Sequence, residues 1–189
     1  PEAPDLELPF HGLSDADLDR EFTADTWFGQ TRFKLRDLLA TREKVGILLQ
    51  PDPDPDGIAS GIALRALLGR KSPTAPLISF GAVKRPENRA MIAALGVEVR
   101  IVTPPELEEF DGLTLVDVQP PVFGESPPAR VLSVDAVIDH HPERGGYDTV
   151  IGDIRTSYGA TSTILTEYVR AAGIEVRPRL ATALLYGIK

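Results

Sequence analysis

The residues best suited to chemistry in this sequence form three short clusters of carboxylates and histidines. Three aspartates alternate with prolines over residues 52–56, Asp117 interrupts the apolar run LTLVDV, and Asp139 precedes the adjacent His140 and His141. Carboxylate oxygens suit hard divalent cations, and imidazole adds affinity for manganese, iron or zinc. Two such ions held close together stabilise both the attacking and the leaving oxygen in phosphoryl chemistry. The three clusters therefore predict a divalent-metal site.

Each cluster also has a purely structural explanation, which the residue types alone leave open. Aspartates between prolines are typical of turns and helix caps, so Asp56 is a candidate N-cap as well as a candidate ligand. Asp117 could anchor a loop, and two neighbouring histidines also occur in solvated loops. A carboxylate inside an apolar strand, however, is costly to bury without a partner. The occurrence of all three clusters in one chain favours the metal site.

Alternating apolar and amphipathic segments predict the elements that position these clusters. We expect strands over 44–50, 75–80, 97–102, 113–118, 136–139 and 147–151, and helices over 14–22, 31–42, 56–70, 86–95, 159–172 and 178–188, with a helical turn over 104–110 and a proline-rich loop over 119–130. This order predicts an α/β fold with a mostly parallel sheet and helices on both faces. Ligands of such sheets lie beyond the carboxyl ends of the strands. All three clusters fall there.

The charge of the chain limits its partners. The sequence has 28 acidic and 20 basic residues, for a formal net charge of −8. We expect no binding to duplex nucleic acid, because that requires a basic surface against the phosphates. A small phosphorylated substrate stays compatible with this charge, because bound cations reverse the local field.

The absence of cysteine excludes disulfides, zinc–thiolate sites and cysteine nucleophiles, and it suits a cytoplasmic location. The first ten residues have no signal-peptide pattern, and no apolar run reaches the roughly 20 residues of a membrane span, so we expect no membrane partner. The sequence leaves the oligomeric state open, including a homo-oligomer. Because it begins with Pro1 and stops in an apolar stretch at Lys189, we expect it to be a piece of a longer protein.

The order PDPDGIASG, LVDV, VIDHHP and GATSTIL, over about residues 43–189, resembles the RecJ-like DHH phosphoesterases, and within them the nanoRNase/pAp phosphatase branch. The resemblance implies a catalytic DHH domain over 43–189, preceded by an N-terminal extension over 1–42 with short helices. In the family, a further segment with a metal-binding aspartate follows, and then a substrate-binding C-terminal domain. Both would be absent from this sequence, which would then be truncated.

The resemblance also implies roles for individual residues. Asp54 and Asp56 would each bind a different metal ion, Asp117 would bridge the two ions, and His140 would bind metal. His141 would face the substrate phosphate, and Asp139 would support the histidine pair. The cofactor would be a divalent metal at two sites, most simply Mn²⁺, activating water to attack phosphorus. The N–H groups at the start of the helix after Gly159 could bind an anion, although a plain helix start also explains them.

Three further positions carry weaker predictions. The family usually has a histidine where this chain has Gln50, and an amide oxygen is the weaker ligand for a transition metal, so one of the two metal sites could be weak. Arg85 and Asn88 lie near another predicted strand end, where they could bind substrate phosphate or simply solvate a helix start.

These residues leave three functions open. The first is a metal-dependent phosphoesterase acting on a nucleotide such as pAp or on a short single-stranded oligonucleotide. The second is a catalytically weakened nucleotide-binding or regulatory module of the same fold, which Gln50 favours. The third is a manganese-dependent inorganic pyrophosphatase, which the PDPDGIAS pattern disfavours.

Overall fold

The computed structural model describes residues 27–188, with side chains described from residue 34, and the helix predicted over 14–22 lies outside this range. Five α-helices run in chain order: α1 Trp27–Ala40, α2 Pro55–Leu67, α3 Pro86–Ala94, α4 Thr161–Ala171 and α5 Pro178–Ile188. Both α2 and α3 have proline in their first turn, where its fixed φ suits a helix and its missing N–H costs nothing.

Six strands form one sheet in which every neighbouring pair is parallel. The strands are β1 Val45–Leu49, β2 Leu77–Ser79, β3 Val99–Ile101, β4 Gly112–Val116, β5 Ser133–Asp139 and β6 Asp148–Ile154. Their order across the sheet is β3-β2-β1-β4-β5-β6. The predicted α/β fold class is therefore confirmed.

Side chains alternate between the two faces along each central strand, which is why the sheet has two separate apolar cores. Ile47 and Leu49 belong to the core that all five α-helices cover, whereas Leu48 belongs to the core of the opposite face. Three short 3₁₀-helices contribute to that second core, and they span Pro104–Glu109, Pro120–Phe123 and Ala129–Leu132. Both faces are thus covered by helices, but of different kinds.

The order of the strands fixes where a ligand site can form. After β1, strands β2 and β3 are added towards one edge of the sheet, whereas after β4, strands β5 and β6 are added towards the other edge. Right-handed crossovers place these connections on opposite faces, so a crevice opens between the carboxyl ends of β1 and β4. Asp54 and Asp56 follow β1, and Asp117 follows β4, so the predicted metal-binding acids border this crevice.

The predicted element types agree with the structure, and the boundaries differ. Helix α1 begins at Trp27 rather than at 31, and β5 begins at Ser133 rather than at 136. The predicted loop over 119–130 contains one 3₁₀-helix and the start of another, because prolines favour a tight turn over an extended chain. Within residues 27–188, no helix has the length and apolar character that crossing a bilayer requires.

Candidate metal centre

The two aspartates after β1 are held in different ways. Asp54 is the N-cap of α2, and its Oδ1 accepts a hydrogen bond of 3.0 Å from the Gly57 N–H. Asp56 was our candidate for that cap, and this expectation is wrong: because Pro55 occupies the first helical position, the cap falls one residue before it. Asp56 instead reaches the start of α4.

The carboxylate of Asp56 binds the N-terminal end of α4 through both oxygens. Its Oδ1 accepts from the Ser162 N–H at 2.7 Å, and its Oδ2 accepts from the Thr161 N–H at 2.8 Å. The helix dipole and these unpaired N–H groups favour a negative charge at this position. The anion bound by this helix start is therefore Asp56 itself, which locks the β1 loop to α4.

Asp117 is deeply buried, with 2% of its surface exposed. Its φ of 59° lies in the left-handed region, which aspartate tolerates better than most residues. Oδ1 accepts a hydrogen bond from the Thr161 hydroxyl at 3.0 Å, whereas Oδ2 is buried without a partner among the described residues. Burial, together with the charges of Asp56 and Asp54, raises the pKa of Asp117 to about 9.

Gly57 lets the acids of β1 and β4 approach each other. A Cβ at this position would lie 3.3 Å from Asp117 Oδ2 and 3.8 Å from Asp54 Oδ1. The unpartnered oxygen of Asp117 and the capping oxygen of Asp54 therefore border the same small space. The absence of a side chain at residue 57 keeps this space open.

His140 points one ring nitrogen into the acids and the other at the backbone. Its Nδ1 lies 3.1 Å from the Tyr158 carbonyl, which can only accept, so the proton belongs on Nδ1. Nε2 then carries the lone pair, 3.6 Å from Asp117 Oδ1 and 3.7 Å from Asp56 Oδ2. In the neutral ring, a lone pair facing two carboxylate oxygens at these distances suits a metal, because a cation between them would remove the repulsion.

Asp139 holds the two histidines together rather than facing the acids. Its Oδ1 accepts from the His140 N–H, the His141 N–H and His141 Nδ1, at 2.8, 3.2 and 2.8 Å. Because the His141 Nδ1 proton is taken up by this bond, Nε2 is the free nitrogen of a ring whose side chain is 48% exposed. Asp117, His140 and His141 can each offer one ligand atom within 4.8 Å of the others.

Sequence reasoning missed Gln119, which it placed in a loop. Gln119 is 1% exposed, and its Nε2 donates to Asp139 Oδ2 at 2.7 Å and to the Pro142 carbonyl at 3.2 Å. Its Oε1 accepts from the Arg144 N–H at 2.6 Å. Both ends of this amide therefore fix the segment that carries the histidines. The one signal in the sequence was a polar residue two positions after Asp117.

A second missed feature is a buried polar network behind His140. Arg155 binds both oxygens of Asp153 at 2.8 and 2.7 Å, and it also binds Glu167. The hydroxyls of Tyr158 and Tyr168 donate to Glu167 and Asp153 respectively. Because the Tyr158 carbonyl binds His140, this network supports the residue that orients the imidazole.

The remaining predicted positions lie at the same edge but outside this cluster. Gln50 follows β1, and its backbone carbonyl accepts from the Ser79 hydroxyl at 2.8 Å. Arg85 is exposed at the start of α3. Asn88 is 1% exposed, and its Nδ2 donates to the Pro53 carbonyl at 3.1 Å, which favours support of the aspartate loop over direct contact with substrate. The binding roles of all three stay predictions.

The donor set fits a divalent metal. Acids from the loops after β1 and β4 lie beside one oriented imidazole, where a buried carboxylate oxygen has no partner among the described residues. Buried oxygens are almost always hydrogen-bonded or bound to an ion, so the orphaned Oδ2 of Asp117 marks the position that a cation would satisfy. Asp56 and Asp117 lie 3.7 and 3.6 Å from His140 Nε2, and Asp54 borders the space beside Asp117 Oδ2. The metal-binding roles of these residues stay predictions.

Comparison with known proteins adds a family and a fold. Residues 44–188 match the DHH family, N-terminal domain. An uncharacterized protein of Methanocaldococcus jannaschii is 34% identical over 143 residues, which cover 76% of this chain and 29% of that protein.

A solved structure described as an exopolyphosphatase-related protein from Bacteroides fragilis superposes with a TM-score of 0.63 at 15% sequence identity. The match covers 84% of this chain and 48% of that chain. At this identity the likeness concerns the fold. The chain thus spans less than half the length of both proteins.

Proposed function

Because the chain belongs to the DHH family, we propose that it is the metal-binding part of a phosphoesterase that hydrolyses nucleotides or short single-stranded oligonucleotides. The family match extends over residues 44–188, so the proposed DHH domain covers 43–189 and residues 1–42 form an extension. The phosphoesterase class follows from the family. The substrate, the metal and the domain division are our proposals.

One observation carries the proposal, namely the buried and unpartnered Oδ2 of Asp117. A loop anchor would use both carboxylate oxygens in hydrogen bonds, as Asp139 and Asp56 do. Asp117 leaves one oxygen without a hydrogen bond, and the charges of Asp56 and Asp54 raise its pKa beyond the effect of burial. A buried carboxylate that destabilises the fold in this way is best explained by a bound ligand.

Each residue of the candidate metal centre has a distinct proposed role. Asp54, Asp56, Asp117 and His140 would hold Mn²⁺, with a second, weaker position near Gln50. A metal bound there would supply a hydroxide-like nucleophile and neutralise charge on the phosphate. In its doubly protonated form, His141 would donate from Nδ1 to Asp139 and from Nε2 to a phosphate oxygen. Asp139 keeps that ring in position.

The proposal is tested with the full-length protein, loaded with Mn²⁺ and offered pAp, a dinucleotide, inorganic pyrophosphate and polyphosphate. We expect release of phosphate or mononucleotide from the nucleotide substrates, and a loss of about 100-fold in kcat/KM for Asp117→Asn, the scale seen when the support of a metal site is removed. Asp148→Asn removes an exposed acid on β6, at one edge of the sheet, and should leave the rate unchanged.

The other outcomes identify the alternatives. Turnover of pyrophosphate alone would replace the proposal with an inorganic pyrophosphatase, and turnover of polyphosphate alone would point to the activity suggested by the name of the Bacteroides protein. Bound manganese without turnover of any substrate would support the regulatory module, which Gln50 favours.

A further inference from the structure

A groove lies at the same carboxyl edge of the sheet as the candidate metal centre. It has a volume of about 640 Å³ and is formed by segments that follow β1, β2, β3 and β4. We call this feature the aromatic groove. We define it by Pro51, Phe80, Ile101, Val122, Phe123 and Pro128.

The aromatic groove and the metal centre share two loops. Pro51 lines the groove and lies three residues before Asp54, so their Cα atoms are at most about 11 Å apart. Val122 and Phe123 line the groove and lie five and six residues after Asp117 in the same connection. The two features are therefore close enough for one ligand of nucleotide size to reach both.

The lining is apolar and aromatic. Phe80 and Phe123 meet edge to face, with their ring centres 5.1 Å apart. Two large aliphatic side chains of the groove are unusually open, since Ile101 is 56% exposed and Val122 is 41% exposed. Apolar surface concentrated in a concave site, rather than scattered, marks a place where a ligand is bound.

The lining contains no aspartate, glutamate, lysine or arginine among the described residues. A groove without cationic side chains has no means of holding a chain of phosphates, which is recognised by charge and charged hydrogen bonds. A flat, neutral ring system fits instead, because it stacks on aromatic side chains and buries apolar area. Stacking also supplies binding energy that an acidic protein cannot obtain from general attraction to an anion.

We propose that the aromatic groove binds the nucleobase of the substrate while the neighbouring acids and histidines hold its phosphate, an inference that rests on the proposed phosphoesterase function. The substrate class is then a nucleotide or oligonucleotide, and not inorganic polyphosphate. Phe123 becomes the residue that determines the preference for a base, because it lies in the connection after β4 that also carries Asp117.

The test measures binding and turnover in parallel on the full-length protein with Mn²⁺. Calorimetry compares AMP with ribose 5-phosphate, which lacks the base, and kinetics compares a dinucleotide with the same compound carrying one abasic residue. We expect the base to improve both binding and kcat/KM about tenfold, the scale of one base stacked on an aromatic ring.

Three variants locate the effect. Phe123→Leu should reduce both base-dependent ratios to near one, with the abasic compounds unaffected, whereas Phe123→Trp keeps a ring and should keep the ratios. Val150→Ser changes a valine that is 70% exposed on β6, away from the groove, and should alter neither ratio.

Equal binding of AMP and ribose 5-phosphate by the parent would overturn the inference, as would a Phe123→Leu variant that retains the preference. A Phe123→Leu variant that changes the oligomeric state and leaves the base ratios intact would instead assign the groove to a second copy. If nothing is hydrolysed but AMP still binds more tightly through Phe123, the groove stands and the enzymatic proposal falls.

Discussion

Replacing Asp117 with asparagine separates the two consequences of this carboxylate, its cost to folding and its value as a ligand. The new side chain has nearly the same shape, and its amide oxygen can still accept from the Thr161 hydroxyl. The amide nitrogen would take the place of the unpartnered Oδ2, where it would face acids instead of adding to their charge. We therefore expect the metal-free variant to be more stable than the parent.

The size of this gain follows from the pKa. An ordinary aspartate has a pKa of 3.8, whereas Asp117 in the folded protein has a pKa of about 9. At pH 7 the folded protein must therefore hold a proton that the unfolded chain has released. About three pH units separate the ordinary value from pH 7, which sets an upper bound of about 4 kcal/mol at about 1.4 kcal/mol per unit. Local relaxation reduces this, so we expect a gain of about 2 kcal/mol.

The assay is thermal unfolding at pH 7, with a chelator and then with Mn²⁺. A gain of this size corresponds to an increase in Tm of about 4–8 °C for a domain of this length. Manganese should raise the Tm of the parent and leave that of Asp117→Asn unchanged, since the metal stabilises only a state that it binds. Asp148→Asn, which changes an exposed acid on β6, should behave like the parent under both conditions.

The pH dependence provides an internal check. Between about pH 4 and pH 9 the folded state binds one proton more than the unfolded state, so the free energy of unfolding of the metal-free parent falls as pH rises. The variant lacks this group and should lack that contribution. A variant that is less stable than the parent in chelator, or one that manganese still stabilises, would show that Asp117 is a structural anchor.

Three further substitutions test neighbouring parts of the centre. Gln50→His should tighten manganese binding about tenfold in a calorimetric titration, or about 1.4 kcal/mol, because imidazole is the better ligand; unchanged affinity would place residue 50 outside the metal site. Gly57→Ala should cost the fold little, since alanine favours a helix by about 1 kcal/mol, yet it should weaken manganese binding because its methyl group enters the space beside Asp117 Oδ2; equal affinity would refute the shared space. Gln119→Leu removes the amide that binds Asp139, so unfolding should show a loss of about 1–3 kcal/mol and titration should show weaker manganese binding; if only stability falls, Gln119 has no positioning role.

The sheet was predictable from the sequence because buried parallel strands are short apolar runs, such as VGILL and GLTLV, and their ends are marked by polar residues. Boundaries were less predictable, since they depend on pairing. Ser133 belongs to β5 because it pairs with Asp148 of β6, and a local pattern does not contain this information. The 3₁₀-helices likewise depend on packing against the second face of the sheet, which a local pattern does not contain.

The acids and histidines of the site were predictable because each follows a strand, and parallel strands end at one edge. The parts that sequence reasoning missed all depend on contacts between distant segments. Gln119 lies 20 residues from Asp139, and Asp56 lies 105 residues from the Thr161 N–H that it binds. Such partners carry no periodic signal, and a glutamine in a proline-rich stretch is indistinguishable from a loop residue until the fold brings Asp139 beside it.

The contrast among the carboxylates of the site is the strongest physical argument for a metal. Asp56 and Asp139 use both oxygens in hydrogen bonds to backbone or side-chain donors, so neither needs a ligand to be satisfied. Asp117 sits between them with one oxygen free, in a left-handed backbone conformation, beside a helix that has glycine at a position where a side chain would fill the gap. Each of these features destabilises the metal-free fold or leaves a void. A cation beside Oδ2 would satisfy the free oxygen and offset the clustered charge, and a cation between Oδ1 and the Nε2 of His140 would give that nitrogen a partner.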